Sequence, residues 1–143
     1  MSRYLKLRAE DAEDISVIAA CLQDALVPVG DMSFLTAEKC FVLVANRFRW
    51  EALPREPSAG VYERIRCGIC FERVNAVRRR GIPRKDPGKL LEILTITVED
   101  GALNLVFAGD AVIRLEIDHV RCVLEDFGEP WPTRWRPQHP LDE

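Results

Sequence analysis

Between Leu90 and Ile117 apolar residues alternate with other residues, and this alternation constrains the fold more than any other feature of the sequence. A period of two places successive side chains on opposite faces of a β-strand. Two short breaks, Asp100-Gly101 and Ala108-Gly109-Asp110, contain residues that favour tight turns. The segment therefore predicts three consecutive strands joined as hairpins.

The spacing of apolar residues after Ile117 changes from two to three or four, which is typical of a helix. Asp118 is placed to cap the first turn, and Gly128 is placed to end the last turn. We expect a two-turn helix over Asp118–Phe127 that plugs the sheet. The side chains expected to be buried against the sheet are Val123, Leu124 and Phe127.

An earlier helix is predicted from Asp11 to about Leu26, because its apolar residues follow helical spacing and Pro28 stops it. Further strands are predicted at Tyr4–Leu7, Val27–Leu35, Cys40–Trp50 and Arg64–Glu72. The predicted class is α+β, with about seven antiparallel strands and two helices in a strongly curved sheet or split barrel. A pleckstrin-homology-like barrel is favoured, and a helix-grip fold is the alternative.

The chain of 143 residues, 48% of them hydrophobic, is long enough to bury one core, so we predict a single domain over residues 1–143. Residues 129–143 contain four prolines and are expected to form an irregular tail with Trp131 covering one end of the sheet. No apolar run is long enough to span a membrane, and the first ten residues lack a secretory signal. We expect a cytoplasmic protein that does not enter a membrane.

The five cysteines show no disulfide framework, and Cys67-Gly-Ile-Cys70 is the one pair with metal-ligand spacing. Residues three apart on a strand point to opposite faces, so the two thiols are not expected to share a metal ion. Neither His119 nor His139 lies in a nucleophile motif, and glycine-rich phosphate loops are absent from the sequence. We expect no metal, no cofactor and no catalytic residue, although an enzyme is not excluded.

Positive charge is concentrated between Arg64 and Lys89. This segment contains nine basic and two acidic residues, although the whole chain has a net charge of −3. Its densest part is predicted to be a loop, Arg78–Lys89, that contacts phosphate or another anion through guanidinium groups. A second candidate is the strand end at Asn46–Glu51. The candidate binding residues are Arg78, Arg79, Arg80, Arg84, Lys85, Asn46, Arg47, Arg49, Trp50 and Trp131. A solvated loop and a closed barrel rim are the structural alternatives.

Three stretches, Val27–Met32, Val44–Glu51 and Asp126–Trp131, resemble a family of small bacterial proteins classified as a domain of unknown function. The resemblance extends over nearly the whole chain and implies a bacterial, cytosolic protein. It implies no activity, cofactor or site residue.

Two functions are compatible with these patterns. The favoured one is a non-enzymatic binding or adaptor module whose basic loop and strand-end arginines contact an anionic partner: an acidic protein surface, RNA or a phosphorylated ligand. The alternative is a small-ligand pocket or enzyme site inside the curved sheet, with polar groups from Asn46, Arg47, Arg49 and Asp31. The sequence does not predict the oligomeric state.

Overall fold

The computed structural model describes residues 4–52, 62–83 and 85–133. Within these ranges the chain forms one α-helix, α1 (Ala12–Leu22), two short 3-10 helices (Val29–Asp31 and Trp50–Ala52) and ten strands. The strands are β1 (Lys6–Ala9), β2 (Leu26–Pro28), β3 (Met32–Leu35), β4 (Cys40–Phe48), β5 (Tyr62–Phe71), β6 (Val74–Arg80), β7 (Leu90–Glu99), β8 (Ala102–Phe107), β9 (Ala111–Ile117) and β10 (Cys122–Thr133).

The strands form one open antiparallel sheet in the order β1-β10-β5-β4-β2-β7-β8-β9-β6, with β3 paired to β4 beside this path. Strands β1 and β6 are therefore its two edges. Glu72 and Arg73 connect β5 to β6, and Arg73 adopts a left-handed backbone angle, φ 58°, at this corner. This two-residue connection joins β5, an interior strand of the sheet, to β6, the strand at one edge.

One face of the sheet and α1 enclose the core. Asp11 caps α1 by accepting a hydrogen bond from the Asp14 N–H at 2.8 Å. The helix buries one stripe of side chains at helical spacing, consisting of Ile15, Ile18, Ala19 and Leu22. These side chains belong to the same buried cluster as the inward residues of β4, β5, β7, β8, β9 and β10. We call this face the inner face and the opposite one the outer face.

The predicted terminal helix is wrong, because the segment is strand β10. Cys122 and Leu124 point inward together with Asp126, whereas Val123 and Phe127 point outward. The polar Asp126 thus occupies an inward position. The apolar residues of the segment are therefore spaced three or four apart, as in a helix. Of the three expected plug residues, Leu124 is buried, Val123 is half-buried and Phe127 is 41% exposed.

The predicted strand number and barrel are also wrong. Ten strands replace about seven, partly because the predicted strand Val27–Leu35 is divided by a 3-10 helix into β2 and β3. Arg78, Arg79 and Arg80 lie at the end of strand β6 rather than in a loop. A register shift between Val74 and Ala76 interrupts the alternation of side chains, so the sequence pattern did not indicate this strand. The described residues form an open sheet of ten strands with one helix, not the predicted split barrel or helix-grip sheet of about seven strands with two helices.

Several predicted elements are present. The three-strand meander corresponds to β7, β8 and β9, and the early helix corresponds to α1, although α1 ends at Leu22. Cys67 is buried and Cys70 faces outward on the opposite side of β5. Residues 129–133 of the expected irregular tail belong to strand β10 instead, and residues 134–143 lie outside the described residues. In the part of the chain that the structure describes, no helix has the length and apolar character needed to cross a membrane.

Candidate functional site

The predicted basic loop contributes to a groove on the outer face of β6 and β9. In the antiparallel register Arg78 lies opposite Arg114, and Arg80 lies opposite Val112. The groove has a volume of about 310 Å³, and its walls are formed by Arg78, Arg79, Arg80, Asn104, Val112 and Arg114. We call it the arginine groove.

Two arginines directly opposite each other on neighbouring strands repel, which destabilises the pair. Intramolecular acids compensate this repulsion only in part. The Arg78 Nε lies 3.2 Å from Glu116 Oε1, and Arg114 donates a hydrogen bond to Glu99, which lowers the pKa of that carboxyl. Arg80 forms no ion pair with the described residues. The arginine groove therefore carries a positive charge excess at an edge of the sheet.

Other residues of the predicted basic loop lie outside this groove. Lys85 is exposed in the connection between β6 and β7, and Arg84 lies outside the described residues. Asp126 does not neutralise Arg78, because Asp126 pairs with the buried Arg47 and Arg78 pairs with Glu116. The partial neutralisation comes from acids on β7 and β9 instead.

The predicted strand-end arginines are mostly buried in ion pairs. The Arg47 side chain is fully buried, and its Nε and Nη2 atoms donate to Asp126 Oδ1 and Oδ2 at 2.8 and 2.7 Å. Its Nη1 and Nη2 atoms also donate to Glu51 Oε1 and Oε2 at 3.0 and 2.7 Å. Asp126 Oδ2 accepts a further hydrogen bond from the Leu5 N–H, which ties β1 to the pair. Arg49 is buried as well and pairs with Glu63.

The charges of this network stabilise one another. Burial alone would lower the pKa of Arg47, but hydrogen bonds to Asp126 and Glu51 outweigh it and raise that pKa. Burial alone would raise the pKa of Glu51, and hydrogen bonds from Arg47 lower it instead. The remaining Arg47 N–H donates to the Phe48 carbonyl at 3.4 Å, so the guanidinium has no donor left for a ligand, and Arg47 fastens β10 to β4.

The remaining candidates surround the same end of the sheet. Asn46 is half-buried and accepts a hydrogen bond from Arg64 Nη1 at 3.3 Å. Trp50 donates its indole N–H to the Gln23 carbonyl at 3.4 Å, and its ring centroid lies 4.6 Å from that of Phe48. Trp131 is half-buried and pairs with Arg64 in the register of β10 and β5. None of these side chains lines the arginine groove.

A second groove, which the sequence reading missed, lies on the outer face of β4, β5 and β10. It has a volume of about 390 Å³, and the outward side chains at its surface include Val42, Val44, Cys70, Val123 and Phe127. We call it the valine groove. Its signal in the sequence is the first half of β4, where both faces are apolar.

A buried acid lies near the start of β2. Asp24 is 9% exposed, and its Oδ2 atom has no hydrogen-bond partner among the described residues. Burial and the neighbouring Asp24 carboxyl raise the pKa of Glu92, while Arg64 acts in the opposite direction. Within residues 4–52, 62–83 and 85–133, no cluster of three or more histidine, cysteine or acidic side chains could hold a metal ion.

Comparison with known proteins gives a family match. A family described as "Protein of unknown function (DUF2948)" matches residues 5–139, nearly the whole chain. Searches of curated proteins and of solved structures found no match.

Proposed function

Since this chain belongs to the DUF2948 family of proteins of unknown function, we propose its function from its geometry: a non-enzymatic binding module that holds a phosphorylated ligand in the arginine groove. The observation that carries the proposal is the cross-strand pair of Arg78 and Arg114, with Arg80 beside it on the same face. Like charges in this position lower the stability of the free protein. A bound anion would remove this repulsion between the arginines. The free energy gained in this way would increase the affinity for the anion.

Phosphate fits the chemistry of this groove. A guanidinium group presents a planar set of donors that can bind two phosphate oxygens at once. The groove combines several such groups with the Asn104 amide and the Val112 side chain. None of the described residues in its walls is aromatic, so a nucleobase finds no ring on which to stack, which favours a compact phosphorylated ligand over single-stranded RNA.

The interior of the sheet supports a module rather than an internal pocket. Aliphatic and phenylalanine side chains fill the described core, including Phe41, Phe71 and Phe107. The buried Arg47 forms structural ion pairs with Asp126 and Glu51. A binding role at the surface is therefore better supported than an enzyme site inside the sheet.

Isothermal titration with inorganic tripolyphosphate tests the proposal. We expect binding that weakens steeply with salt, and the double variant Arg78→Glu/Arg80→Glu should weaken it at least about tenfold. The matched control, Lys39→Glu/Arg73→Glu, makes the same charge change at exposed residues outside the groove and should lower the affinity much less. A short single-stranded RNA serves as the competing ligand.

The single variant Arg80→Gln covers the case in which charge reversal unfolds the protein. Arg80 forms no ion pair with the described residues, so its replacement leaves the intramolecular pairs intact. Equal loss of affinity in the groove and control variants, or no salt-sensitive binding at low ionic strength, would reject the proposal. Tighter binding of RNA than of tripolyphosphate would reject the assigned ligand class.

A further inference from the structure

We infer that the outer face of β10, β5 and β4 is the contact surface of a weak homodimer, a property independent of the proposed anion binding. The helix α1 packs its apolar stripe on the inner face, yet the outer face is also apolar. Val42, Val44 and Val123 are half-buried there, and Phe127 is 41% exposed. An exposed sheet face usually carries polar residues, so a mainly apolar face indicates a contact surface.

Gly68 supplies a second observation. It lies in the middle of the central strand β5, where a glycine lowers strand stability. A Cβ atom at this position would meet nothing within 4 Å, and the backbone does not adopt a positive φ. Neither packing nor backbone conformation within the described chain requires glycine here. The described residues thus leave the space above Gly68 open.

The charges at the two sides of this face are opposite. Lys6 and Arg8 lie on β1 and pair in register with Glu125 and Val123, so their side chains share the outer face. Asp31 lies on the opposite side, where it lines the valine groove beside β4. A two-fold axis parallel to the strands, between β10 and β5, would place Lys6 and Arg8 of each copy over β4 of the other copy, beside Asp31. The face is therefore self-complementary, as a two-fold contact requires.

The register makes this arrangement specific. Lys6, Glu125, Gly68 and Val44 form one row across β1, β10, β5 and β4. The two-fold axis reverses this row, so Glu125 of one copy stands over Gly68 of the other. In the next row, Phe127 stands over Arg66, which is exposed and suited to a cation–π contact. The absent side chain at position 68 leaves room for Glu125.

The size of the face sets the strength of the contact. The face covers the four strands β1, β10, β5 and β4 at about 4.8 Å spacing and about six residues along the strands at about 3.4 Å per residue. Its area is therefore roughly 20 by 20 Å. This area is smaller than the ~800 Å² per partner that stable complexes bury. We therefore expect a reversible dimer with a Kd between about 10 µM and 1 mM.

Sedimentation equilibrium over this concentration range tests the contact, with Gly68→Val as the main variant. Valine favours strands, and a Cβ atom at position 68 meets nothing within 4 Å among the described residues, so the melting temperature should not fall. It would collide with Glu125 of the second copy and should weaken dimerisation at least about tenfold. If Gly68→Val leaves the dimer unchanged or strengthens it, the assigned face is wrong.

A charge exchange tests the orientation. Asp31→Lys and the double variant Lys6→Glu/Arg8→Glu each place like charges opposite one another and should be monomeric. Mixing the two variants restores opposite charges at both sides, so a heterodimer should form with close to the wild-type affinity. The control Arg73→Glu, at the exposed corner after β5, should dimerise like the wild type. A monomeric wild type at about 1 mM, or a mixture that stays monomeric, would overturn the inference.

Discussion

Asp126 is the residue on which the buried charge network depends. It receives two hydrogen bonds from the fully buried Arg47 and one from the Leu5 N–H, so it joins β10, β4 and β1. Buried ion pairs are costly to form, because both charges lose water, and are more costly to break singly. The network therefore specifies which strands meet at this end of the sheet.

We predict that Asp126→Asn will lower the free energy of unfolding by about 3–5 kcal/mol, because it removes the buried one of the two carboxylates that compensate the Arg47 charge. The double variant Arg47→Met/Asp126→Leu should recover most of this loss, since it removes both charges and keeps the volume similar. Urea denaturation of the two variants and the wild type measures the difference. A loss below about 1 kcal/mol for Asp126→Asn would show that Glu51 alone satisfies Arg47.

Glu92 gives a pH-dependent prediction. Burial and the nearby Asp24 raise its pKa in the folded protein, so the folded state binds this proton more tightly than the unfolded state. Stability contributed by this group is present below the ordinary glutamate pKa of about 4.3 and is lost as pH rises through the raised value. We expect Glu92→Gln to be more stable than the wild type at pH 7.

Thermal denaturation as a function of pH checks this sign. The advantage of Glu92→Gln should shrink as pH falls and disappear below about pH 4, where Glu92 is protonated in both states. A variant less stable than the wild type at pH 7 would mean that the Arg64 charge dominates the site.

Among the secondary-structure elements, β10 connects two other strands in one half of the sheet. It pairs with β1 on one side and β5 on the other, and a register shift lies between Phe127 and Trp131. Its inward residues alternate with outward ones, as in any strand with one buried face. The position of a side chain along β10 therefore decides its contribution to stability.

Two alanine substitutions separate a strand from a helix here. We expect Leu124→Ala to cost about 2–5 kcal/mol of unfolding free energy, because Leu124 is fully buried in the core. Phe127→Ala should cost less than about 1 kcal/mol in the monomer, because the Phe127 side chain lies on the outer face, outside the core, and is 41% exposed. Denaturation at low protein concentration measures both. Similar large losses would indicate a helix that buries both residues.

At the scale of the whole molecule, the two grooves lie far apart in the strand order. The arginine groove belongs to β6, β8 and β9, whereas the valine groove belongs mainly to β4, β5 and β10. Sites without shared residues usually behave additively. Anion binding and dimerisation should therefore be separable by mutation.

We predict that Gly68→Val binds tripolyphosphate with the wild-type affinity, while Arg78→Glu/Arg80→Glu dimerises like the wild type. Titration and sedimentation on the same samples give both quantities. A variant of one groove that alters the other by more than about threefold would show that the two ends of the sheet are coupled.

Elements with a local sequence signal could be predicted without the structure. The meander β7, β8, β9 was predictable because turn residues separate clear alternation, and α1 was predictable from its cap and apolar stripe. The opposite orientation of Cys67 and Cys70 also followed from local strand geometry. The positive charge of Arg78–Arg80 was visible in composition alone.

Features that depend on contacts between residues distant in the sequence could not be predicted from the sequence and are seen in the fold. Asp126 could be recognised as an inward residue only through Arg47, which lies 79 positions away, and without that pair β10 resembles a helix. Arg78 became part of a groove because β9 brings Arg114 opposite it. The open space above Gly68 depends on the outward residues of β4 and β10. Pairing between strands is non-local, so a single stretch of sequence carries no record of it.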